Sequence, residues 1–548
     1  MKNTGFYRNM RDRFARAPQI LALPLSALLM GLCLLFPAVG ALQWVALIPA
    51  LCYLFRHVKK GVRLRRIYAL GLLYFGVYYL VAWHWFTELY PMEFAGITKG
   101  EAIVLIAICW FGLSLLQTVL SALLFPVFAL LCRHRLVGRY PLLKPFLFAS
   151  AYTVAEWAQT LTWAGVPFAR LSLGQSSCGI FFNSAALFGS YFITFSIVLL
   201  NGLLAFAVLH VKRALRPVRL AALCAAAVLL LDLGAGLAGY LTADTASEGE
   251  GVIVAAVQGN VGTENKWTTE SDQRSREVYE KYTAEAAAAG AQLVLFPETF
   301  MPYRLAAGTQ LGIYVKELAV KYQVTICCGG FHYDNAESGY YNGLFTVYPD
   351  GTISDTVYAK RRPVPFGEYV PMRGLIEVLL PPLADMSMLG SDVDPGTETA
   401  IVETVVGRVG GLICFDSIYE DLTLATVRDG AELICLATND SWFLDSAGVR
   451  MHHRHARLRA VESGRYIVRA ADTGISSIIA PDGSTAAEQP ALTEGVSIST
   501  VKPIASRTLY SYIGNLLVYL LIAAELALAA DGALRVLRKR KERSSSAE

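Results

Sequence analysis

Long apolar runs alternate with short polar segments over the first 240 residues and return once near the end of the chain. Because a helix needs about 20 apolar residues to cross a hydrocarbon core of about 30 Å, each run predicts a membrane span. The eight predicted spans cover residues 19–36, 39–55, 67–86, 103–131, 143–162, 181–209, 218–240 and 509–530. The fourth of them is long and contains Pro126, which predicts a kink at that position.

A different pattern occupies the more polar region from 252 to 484, where short runs rich in Val and Ile alternate with helical segments. The predicted strands are VIVAAVQGN at 252, AQLVLFPET at 291, VTICCGGFHY at 324, the hairpin GLFTVYPDGTISDTVYAK at 343, GRVGGLICFDS at 407, AELICLATND at 431, RYIVRAAD at 465 and SSIIAPDGS at 476. The predicted helices cover 270–289, 310–322, 419–429 and 448–464. This alternation predicts an α/β sandwich with mixed sheets.

The two patterns together predict four segments. Residues 1–240 would form a membrane domain with seven spans, and 241–506 a separate α/β domain. Residues 507–531 would form one further transmembrane helix, and 532–548 a basic tail. The predicted fold class is therefore a polytopic helical membrane domain joined to an α/β sandwich.

Composition and charge support this division and give it an orientation. Hydrophobic residues make up 54% of the chain, charged residues 17%, and the mean hydropathy is +0.43, as expected for a membrane protein. Lys and Arg concentrate in the N-terminal segment, in the loops after the second, fourth and sixth spans, and in the tail. Since short basic loops stay in the cytoplasm, residues 241–506 are predicted to be extracytoplasmic. The first run lacks an A-x-A cleavage site, so we expect an anchor rather than a removed signal peptide.

The charge and the cysteine spacing argue against several other classes. The net charge of +4 does not indicate nucleic-acid binding, because the basic residues lie beside the apolar runs. The ten cysteines show no CxxC and no regular spacing, so neither a zinc site nor a disulfide framework is predicted. His452, His453 and His455 are flanked by arginines, which disfavour a metal ion. We expect these histidines on a solvated or headgroup-facing helix surface.

Two charged side chains stand where predicted strands end, the usual place for functional groups on such a scaffold. Glu298 follows the apolar run LVLFP, where a partly desolvated carboxylate suits a general base; a helix cap or a surface turn is the alternative. Lys360 precedes a proline-restrained loop that carries Glu368. It can direct a fixed positive charge toward an oxyanion, or it can be a solvated surface lysine. The neighbours Arg361 and Arg362 suit a contact with lipid headgroups.

Cys414 ends the apolar strand GGLIC and raises the question whether it is a packed residue or a nucleophile. Most buried cysteines are inert packing, and we interpret Cys435 and the pair Cys327–Cys328 in that way. Cys414 differs because its strand stops there and FDS begins a turn into a helix. Backbone amides of such a turn can stabilise a thiolate.

Together these segments resemble the nitrilase superfamily, whose triad is a glutamate, a lysine and a cysteine in that chain order, matched here by Glu298, Lys360 and Cys414. The membrane half narrows the resemblance to the apolipoprotein N-acyltransferase family. The supporting motifs are EWAQTLTWAGVPFARLSLGQ at 156, VQGN at 257, FPET at 296, VPFGEYVP at 364, ICFDSIYED at 413 and TNDSWF at 438. The chain departs from the family pattern at Phe168, often tryptophan, at Asp416, usually glutamate, and at Leu444, commonly glycine.

The resemblance implies a two-step acyl transfer that needs no cofactor and no metal. A thioester on Cys414 would form from the sn-1 ester of a phospholipid, and the α-amine of a diacylglyceryl-cysteine in an apolipoprotein would then take the acyl chain. The implied site residues are Glu298 as proton acceptor, Lys360 with a backbone N–H for the oxyanion, Glu368 and Asp416 as supporting carboxylates, and Trp267 and Trp442 as substrate-binding residues. The implied location is a bacterial inner membrane, with phospholipid and diacylated apolipoprotein as partners.

Two other functions stay open at this level. A membrane-tethered amidase of the nitrilase type would share the triad and use water as acceptor. A transporter or sensor, whose outer domain only binds a ligand, would require charged residues inside the spans. Glu156, Asp232 and Glu525 lie near span ends or stand alone, so no relay pattern is indicated.

Overall fold

The computed structural model describes residues 19–58, 61–92, 98–212, 214–245, 251–262, 269–335, 338–379 and 392–545. The chain divides into two compact units. The first, here called the helical unit, comprises Met1–His84, Ile108–Leu237 and Asn515–Glu548. The second, here called the sandwich unit, comprises Trp85–Ala107 and Ala238–Gly514. The four segment boundaries predicted from the sequence stay predictions.

The N-terminal part of the chain is helical over most of its described length. Its α-helices are α1 Ala22–Leu35, α2 Gln43–Ala46, α3 Ile48–His57, α4 Leu64–Ala82, α5 Lys99–Ser121, α6 Leu124–Leu131, α7 Arg135–Arg139, α8 Leu143–Ala158, α9 Gly179–Asn183, α10 Ala185–Phe188, α11 Ser190–His210 and α12 Leu215–Thr242. A last helix, Leu516–Ser545, closes the chain.

Among the described residues, six helical stretches are long and apolar enough to cross a membrane. They are Pro37–His57, Leu64–Leu89, Lys99–Leu131, Ser190–His210, Leu215–Thr242 and Leu516–Arg538. These correspond to six of the eight predicted spans. The other two, 19–36 and 143–162, correspond to α1 and α8, which have only 14 and 16 residues. The stretch with the predicted kink is interrupted between α5 and α6, just before Pro126, since proline lacks an N–H and its ring excludes the carbonyl of the preceding turn.

The segment that follows α8 is fixed to the helical unit by a buried carboxylate. Glu156 accepts hydrogen bonds from the Leu171 N–H at 2.8 Å and from the Thr194 hydroxyl at 2.6 Å. Phe168, one of the three departures from the family pattern, stacks on Trp83 with ring centroids 5.6 Å apart. Glu156 therefore organises a loop in this structure, which sequence alone left undecided.

Two six-stranded sheets form the sandwich unit. The strands are β1 Val252–Gln258, β2 Leu293–Leu295, β3 Thr325–Asn335, β4 Ser338–Val347, β5 Tyr358–Ala359, β6 Ile401–Thr404, β7 Gly407–Ile413, β8 Leu433–Thr438, β9 Ile467–Ala471, β10 Ser476–Ile479, β11 Thr485–Gln489 and β12 Gly495–Val501. The strand orders are β12-β1-β2-β3-β4-β5 and β11-β10-β9-β8-β7-β6. In each sheet three central strands are parallel and the outer pairs antiparallel. This confirms the predicted α/β sandwich.

The helices of the sandwich unit are α13 Thr269–Ala288, α14 Gln310–Tyr322, α15 Arg373–Leu379, α16 Glu420–Arg428, α17 Ala447–Ser463 and α18 Leu509–Ile513. The four helices predicted from sequence agree with α13, α14, α16 and α17 to within about one residue at each end. Strands β6, β11 and β12 were not predicted. Their pairing with β7, β10 and β1 completes the two sheets.

A segment from the N-terminal half of the chain also belongs to the sandwich unit and packs on the start of α17. The Glu88 carboxylate accepts a hydrogen bond from the Ala447 N–H at 3.3 Å. The Trp85 ring lies edge-on to Phe443, with centroids 5.2 Å apart. It also covers Gly448 so closely that a Cβ at this position would lie 2.8 Å from the indole. Only glycine therefore fits beneath Trp85 without a shift.

Candidate active site

The Lys360 ammonium group lies between two carboxylates. Its Nζ is 2.8 Å from Glu298 Oε1 and 2.7 Å from Glu368 Oε2, and the lysine is only 1% exposed. Burial acts to lower the pKa of Lys360, but Glu298 and Glu368 outweigh it and raise that pKa well above its usual value. Lys360 is therefore a fixed positive charge, and the three-residue cluster carries a net negative charge when both carboxylates are ionised.

Strand β5 places Lys360, because the lysine directly follows it. The Lys360 N–H donates to the Asn342 carbonyl at 2.8 Å, and the Lys360 carbonyl accepts from the Gly396 N–H at 2.8 Å. The backbone is thus bonded on both sides. The loop that follows returns Glu368 toward the lysine, with the Glu368 carboxylate accepting from the Val364 N–H at 2.8 Å. The prolines of this loop restrict its conformations, as the sequence indicated.

Glu298 is fixed by the apolar residues around it. Phe296 and Phe300, both fully buried, pack against each other with centroids 5.0 Å apart, so the turn that carries Glu298 is anchored on either side. Gly329 on β3 passes so close that a Cβ there would lie 2.6 Å from the Glu298 Cα. The Asn439 N–H, directly after β8, donates to Glu298 Oε2 at 2.8 Å. Both carboxylate oxygens are therefore held.

Asn342 joins the two carboxylates and was not predicted. Its Nδ2 donates to Glu298 Oε1 at 2.7 Å and to Glu368 Oε1 at 3.0 Å. Ionised carboxylates only accept hydrogen bonds, so the amide nitrogen must face them. No motif marks Asn342 in the sequence, where it is one of several polar residues of β4, SGYYNGLFTV.

Cys414 lies at the carboxyl end of β7 and begins the 3₁₀ turn Cys414–Ile418. Its φ is 48°, in the left-handed region that non-glycine residues rarely adopt. The pKa of its thiol is raised, first by burial and then by the Glu298 carboxylate, while the Lys360 ammonium group acts to lower it. The structure therefore brings the three predicted triad residues into one electrostatic cluster, with a resting thiol beside a carboxylate and an ammonium group.

Asp416 holds the main chain on both sides of the site. Its Oδ1 accepts from the Arg362 N–H at 2.8 Å. Its Oδ2 accepts from the Tyr358 hydroxyl at 2.9 Å and from the Ile413 N–H at 3.1 Å. Burial raises the pKa of Asp416 from 3.8 to about 6, although Lys360 and these donors oppose the shift. Asp416 therefore connects the loop after Lys360 to the strand that ends at Cys414.

The expectation for the histidine cluster was wrong, because His452, His453 and His455 are all buried. His452 faces the turn Cys414–Ile418, with Nε2 at 3.1 Å from the Cys414 carbonyl oxygen and Nδ1 at 2.8 Å from Asp440 Oδ1. His453 is bonded to the Ser477 hydroxyl at 2.9 Å. Arginines close to histidines suggested an exposed, charged helix face, but the unit buries most of α17, including Arg459 beside Glu462 at 3.0 Å.

Cys414, Asp440 and His452 present potential metal-binding atoms within 4.8 Å of one another. His452 and Asp440 are, however, already bonded to each other. The Arg469 guanidinium lies 2.7 Å from the second Asp440 oxygen. A metal ion would have to share this space with the arginine charge, so the donor set fits a hydrogen-bonded network better than a metal centre. The expected absence of a metal stays a prediction.

The remaining predicted residues divide into three groups. Trp267 lies outside the described residues, and Trp442 is half-buried in the turn after β8. Cys435 and the pair Cys327–Cys328 are buried in strands, as expected of core cysteines. Arg362 is half-buried, with its guanidinium over the Tyr419 ring at 5.0 Å.

Two family models match the chain. The Carbon-nitrogen hydrolase model matches residues 253–508, and the Apolipoprotein N-acyltransferase N-terminal domain model matches residues 26–203. An apolipoprotein N-acyltransferase from Gloeobacter violaceus is 31% identical over 481 residues, or 87% of each chain. Another, from Geobacter metallireducens, is 29% identical over 537 residues, covering 96% of this chain and 98% of that one.

The solved structures that match the chain include members of the nitrilase superfamily. A mutant of the amidase from Nesterenkonia sp. AN1 covers 49% of this chain and 98% of its own, with 16% identity and a TM-score of 0.37. Saccharomyces cerevisiae Nit3, a member of branch 10 of the superfamily, covers 48% of this chain and 93% of its own, with 19% identity and a TM-score of 0.37.

Proposed function

Because the chain belongs to the apolipoprotein N-acyltransferase family, we propose that Cys414 is the nucleophile of an acyl transfer from phospholipid to lipoprotein. The protein is a membrane-embedded acyltransferase of lipoprotein maturation, and its nitrilase-type domain fits cysteine-based chemistry. The residue roles, the donor ester, the acceptor amine and the side of the membrane are our proposals.

In the first step Glu298 accepts the Cys414 proton as sulfur attacks the sn-1 ester carbonyl of the phospholipid. A carbon–sulfur bond forms, the ester carbon–oxygen bond breaks, and the proton held by Glu298 passes to the departing lysophospholipid oxygen. In the second step the α-amine of the diacylglyceryl-cysteine attacks the thioester, Glu298 takes the amine proton, and the thiolate leaves and is protonated again. The two steps let two lipid substrates use one site in turn.

Lys360 serves both steps because each passes through a tetrahedral oxyanion. A fixed charge in a site with little water stabilises developing negative charge more strongly than the same charge in water. Glu298 and Glu368 keep Lys360 charged and hold it in place. A backbone N–H of the turn after Cys414 would supply the second donor to the oxyanion.

One observation supports this assignment above the others. The Lys360 ammonium group, bonded to two buried carboxylates, lies close enough to the Cys414 thiol to act on its pKa, as Glu298 does. A cysteine that only packs in a core needs no such charged groups around it. Cys435, which we interpret as a core cysteine, is buried in the middle of β8.

The test is the mass of the intact protein after incubation with phospholipid. We expect a fatty-acyl increment that hydroxylamine removes, that is absent in Cys414→Ala and that persists in Cys435→Ala. Glu298→Gln should form the acyl-enzyme slowly, because the thiol proton has lost its acceptor. An increment retained in Cys414→Ala and lost in Cys435→Ala would assign the nucleophile to β8 and contradict the proposal.

The membrane side of the catalytic domain is a separate proposal, supported by the basic residues of the loops. A reporter that is active only after export should be active when fused after Ser506 and inactive when fused after Arg538. Activity at Arg538, or none at Ser506, would reverse the proposed orientation in the bacterial inner membrane. Phospholipid and diacylated apolipoprotein are the proposed partners.

A further inference from the structure

A buried histidine contacts the main chain of the nucleophile. His452 Nε2 lies 3.1 Å from the Cys414 carbonyl oxygen and 3.0 Å from the Ser417 hydroxyl. Ser417 in turn donates to the same carbonyl at 2.8 Å. The Cys414 carbonyl oxygen therefore accepts hydrogen bonds from two side chains. Ser417 belongs to the same 3₁₀ turn, whereas His452 lies on α17.

The position of this carbonyl matters because Cys414 adopts a strained backbone. A non-glycine residue with φ of 48° persists only where its surroundings fix it, since its Cβ crowds the adjacent carbonyl. Rotation of this residue toward an ordinary conformation would move the thiol relative to Lys360 and Glu298. A shift of about 1 Å in a reacting group is enough to slow a reaction about a hundredfold.

His452 is fixed in place by Asp440, which follows β8, and by Arg469, which lies on the neighbouring strand β9. Its Nδ1 is 2.8 Å from Asp440 Oδ1, just after β8, and the second Asp440 oxygen accepts from Arg469 on β9 at 2.7 Å. His452, Asp440 and Arg469 are all nearly inaccessible to water. Although burial opposes it, Arg469 and His452 lower the pKa of Asp440, which keeps this carboxylate ionised.

The direction of the hydrogen bond to Cys414 follows from its acceptor. A carbonyl oxygen only accepts, so this bond requires a hydrogen on Nε2. Nδ1 lies 2.8 Å from Asp440 Oδ1 and 3.3 Å from Arg469 Nη2. The ring thus donates to the Cys414 carbonyl through Nε2, while Asp440 and Arg469 orient it from the other side.

We propose that His452 is a positioning residue for the acyl transfer, which fixes the main chain of Cys414 and is oriented by Asp440 and Arg469. The inference rests on the proposed role of Cys414 as the nucleophile. His452 acts through the Cys414 carbonyl, so it should affect the rate of acylation and not the binding of phospholipid.

The chain supplies a matched control in the adjacent residue. His453 is also buried, but its imidazole is hydrogen-bonded to Ser477 on β10 and not to the Cys414 turn. The same substitution at the two positions removes the same imidazole from the same helix. Only the change at His452 removes a hydrogen-bond donor to the Cys414 carbonyl oxygen.

The experiment uses full-length protein in detergent micelles that contain phosphatidylethanolamine and follows acyl-enzyme formation by intact mass. His452→Met, which has no donor, should lower the acylation rate constant about 10- to 100-fold and leave KM for the phospholipid unchanged. His452→Gln should recover part of the rate, because its amide N–H can donate to the carbonyl. His453→Met should stay within about twofold of the wild-type rate, and unfolding temperatures should be recorded for every variant.

Three results would overturn the inference: a wild-type rate in His452→Met, an equal loss in His453→Met, or no recovery in His452→Gln. The first would show that His452 has no effect, the second that the effect comes from the folding of α17, and the third that hydrogen-bond donation is not its role. Absence of an acyl increment in the wild-type protein would instead contradict the proposed function, so the two failures are distinguishable.

Discussion

Lys360 Nζ lies 2.8 Å from Glu298 Oε1, and neither side chain is more than 6% exposed. The two groups act on the Cys414 thiol in opposite directions, since Glu298 raises its pKa and Lys360 lowers it. Burial adds to the effect of Glu298 and is the largest contribution. The resting state is therefore a thiol, and in the proposed mechanism the nucleophile forms when the proton moves to Glu298.

The first prediction follows from these opposing signs. Glu298→Gln should shift the midpoint for alkylation of Cys414 by iodoacetamide to lower pH, because a negative charge near the sulfur is lost. Lys360→Met should shift it to higher pH, because a positive charge is lost. Peptide mass spectrometry can quantify modification at Cys414 separately from the other cysteines.

The Glu298→Gln variant also tests whether a more acidic Cys414 thiol is by itself sufficient for acylation. Glu298→Gln should acylate slowly in spite of its more acidic thiol, because the proton acceptor is missing. Shifts of both midpoints in the same direction would contradict the electrostatic arrangement described for the site.

The second prediction concerns Asn342. Asn342→Leu removes the donor shared by Glu298 and Glu368, and hydrogen bonds to charged groups contribute about 1.5–3 kcal/mol each. We expect acyl-enzyme formation to slow about 10- to 100-fold, measured as the initial rate of the acyl increment. Thr346→Val is the matched control, since Thr346 is buried on the same strand and faces Cys327 at 3.5 Å. Equal losses in both variants would indicate damage to β4 instead of a role at the site.

The third prediction uses the raised pKa of Asp416. This pKa is about 6 in the folded protein and about 3.8 when unfolded. The stability contributed by Asp416 is therefore full below pH 3.8 and lost as the pH rises through 6, by about 3 kcal/mol in total. Asp416→Asn does not titrate. As the pH rises from 4 to 7, the wild-type unfolding temperature should fall relative to that of Asp416→Asn. Parallel curves would mean that Asp416 keeps an ordinary pKa.

The fourth prediction concerns Leu444, where the family commonly has glycine. Leu444 has a φ of 49°, a conformation that costs a non-glycine residue about 1 kcal/mol and glycine almost nothing. Leu444→Gly should therefore raise the unfolding temperature modestly without loss of acyl transfer. Leu444→Ala retains a Cβ in the same conformation and should give no gain. A gain in the alanine variant would show that the leucine side chain, and not its backbone, is unfavourable.

The sequence was sufficient to predict which candidate residues come together where each belongs to a contiguous motif. Glu298, Lys360 and Cys414 each follow a strand within a motif that resembles the family pattern, and the structure brings them into one cluster. The helices were also predictable because their apolar spacing is local information. These parts of the fold and the site do not depend on knowing which strands are neighbours.

Sequence reasoning missed features that depend on distant partners. The role of Asn342 exists only because β4 brings it near Glu298 and Glu368, residues 44 and 26 positions away. Strand β12 pairs with β1 across almost the whole sandwich unit. The histidines of α17 were misjudged for a related reason, since a neighbouring arginine on this helix is paired with a residue from another element, as Glu420 of α16 shows for Arg459.

The contact between Glu88 and Ala447 also sets an order of events during synthesis. Their positions are 359 residues apart, and a ribosome adds about 5–20 residues per second. The Trp85 ring is therefore made about 20 to 70 s before the glycine that it covers. Until Gly448 emerges, the helix that lies beneath this indole and carries His452 does not yet exist. The Cys414–Ile418 turn, which His452 contacts, can therefore take its final shape only after α17 has been translated.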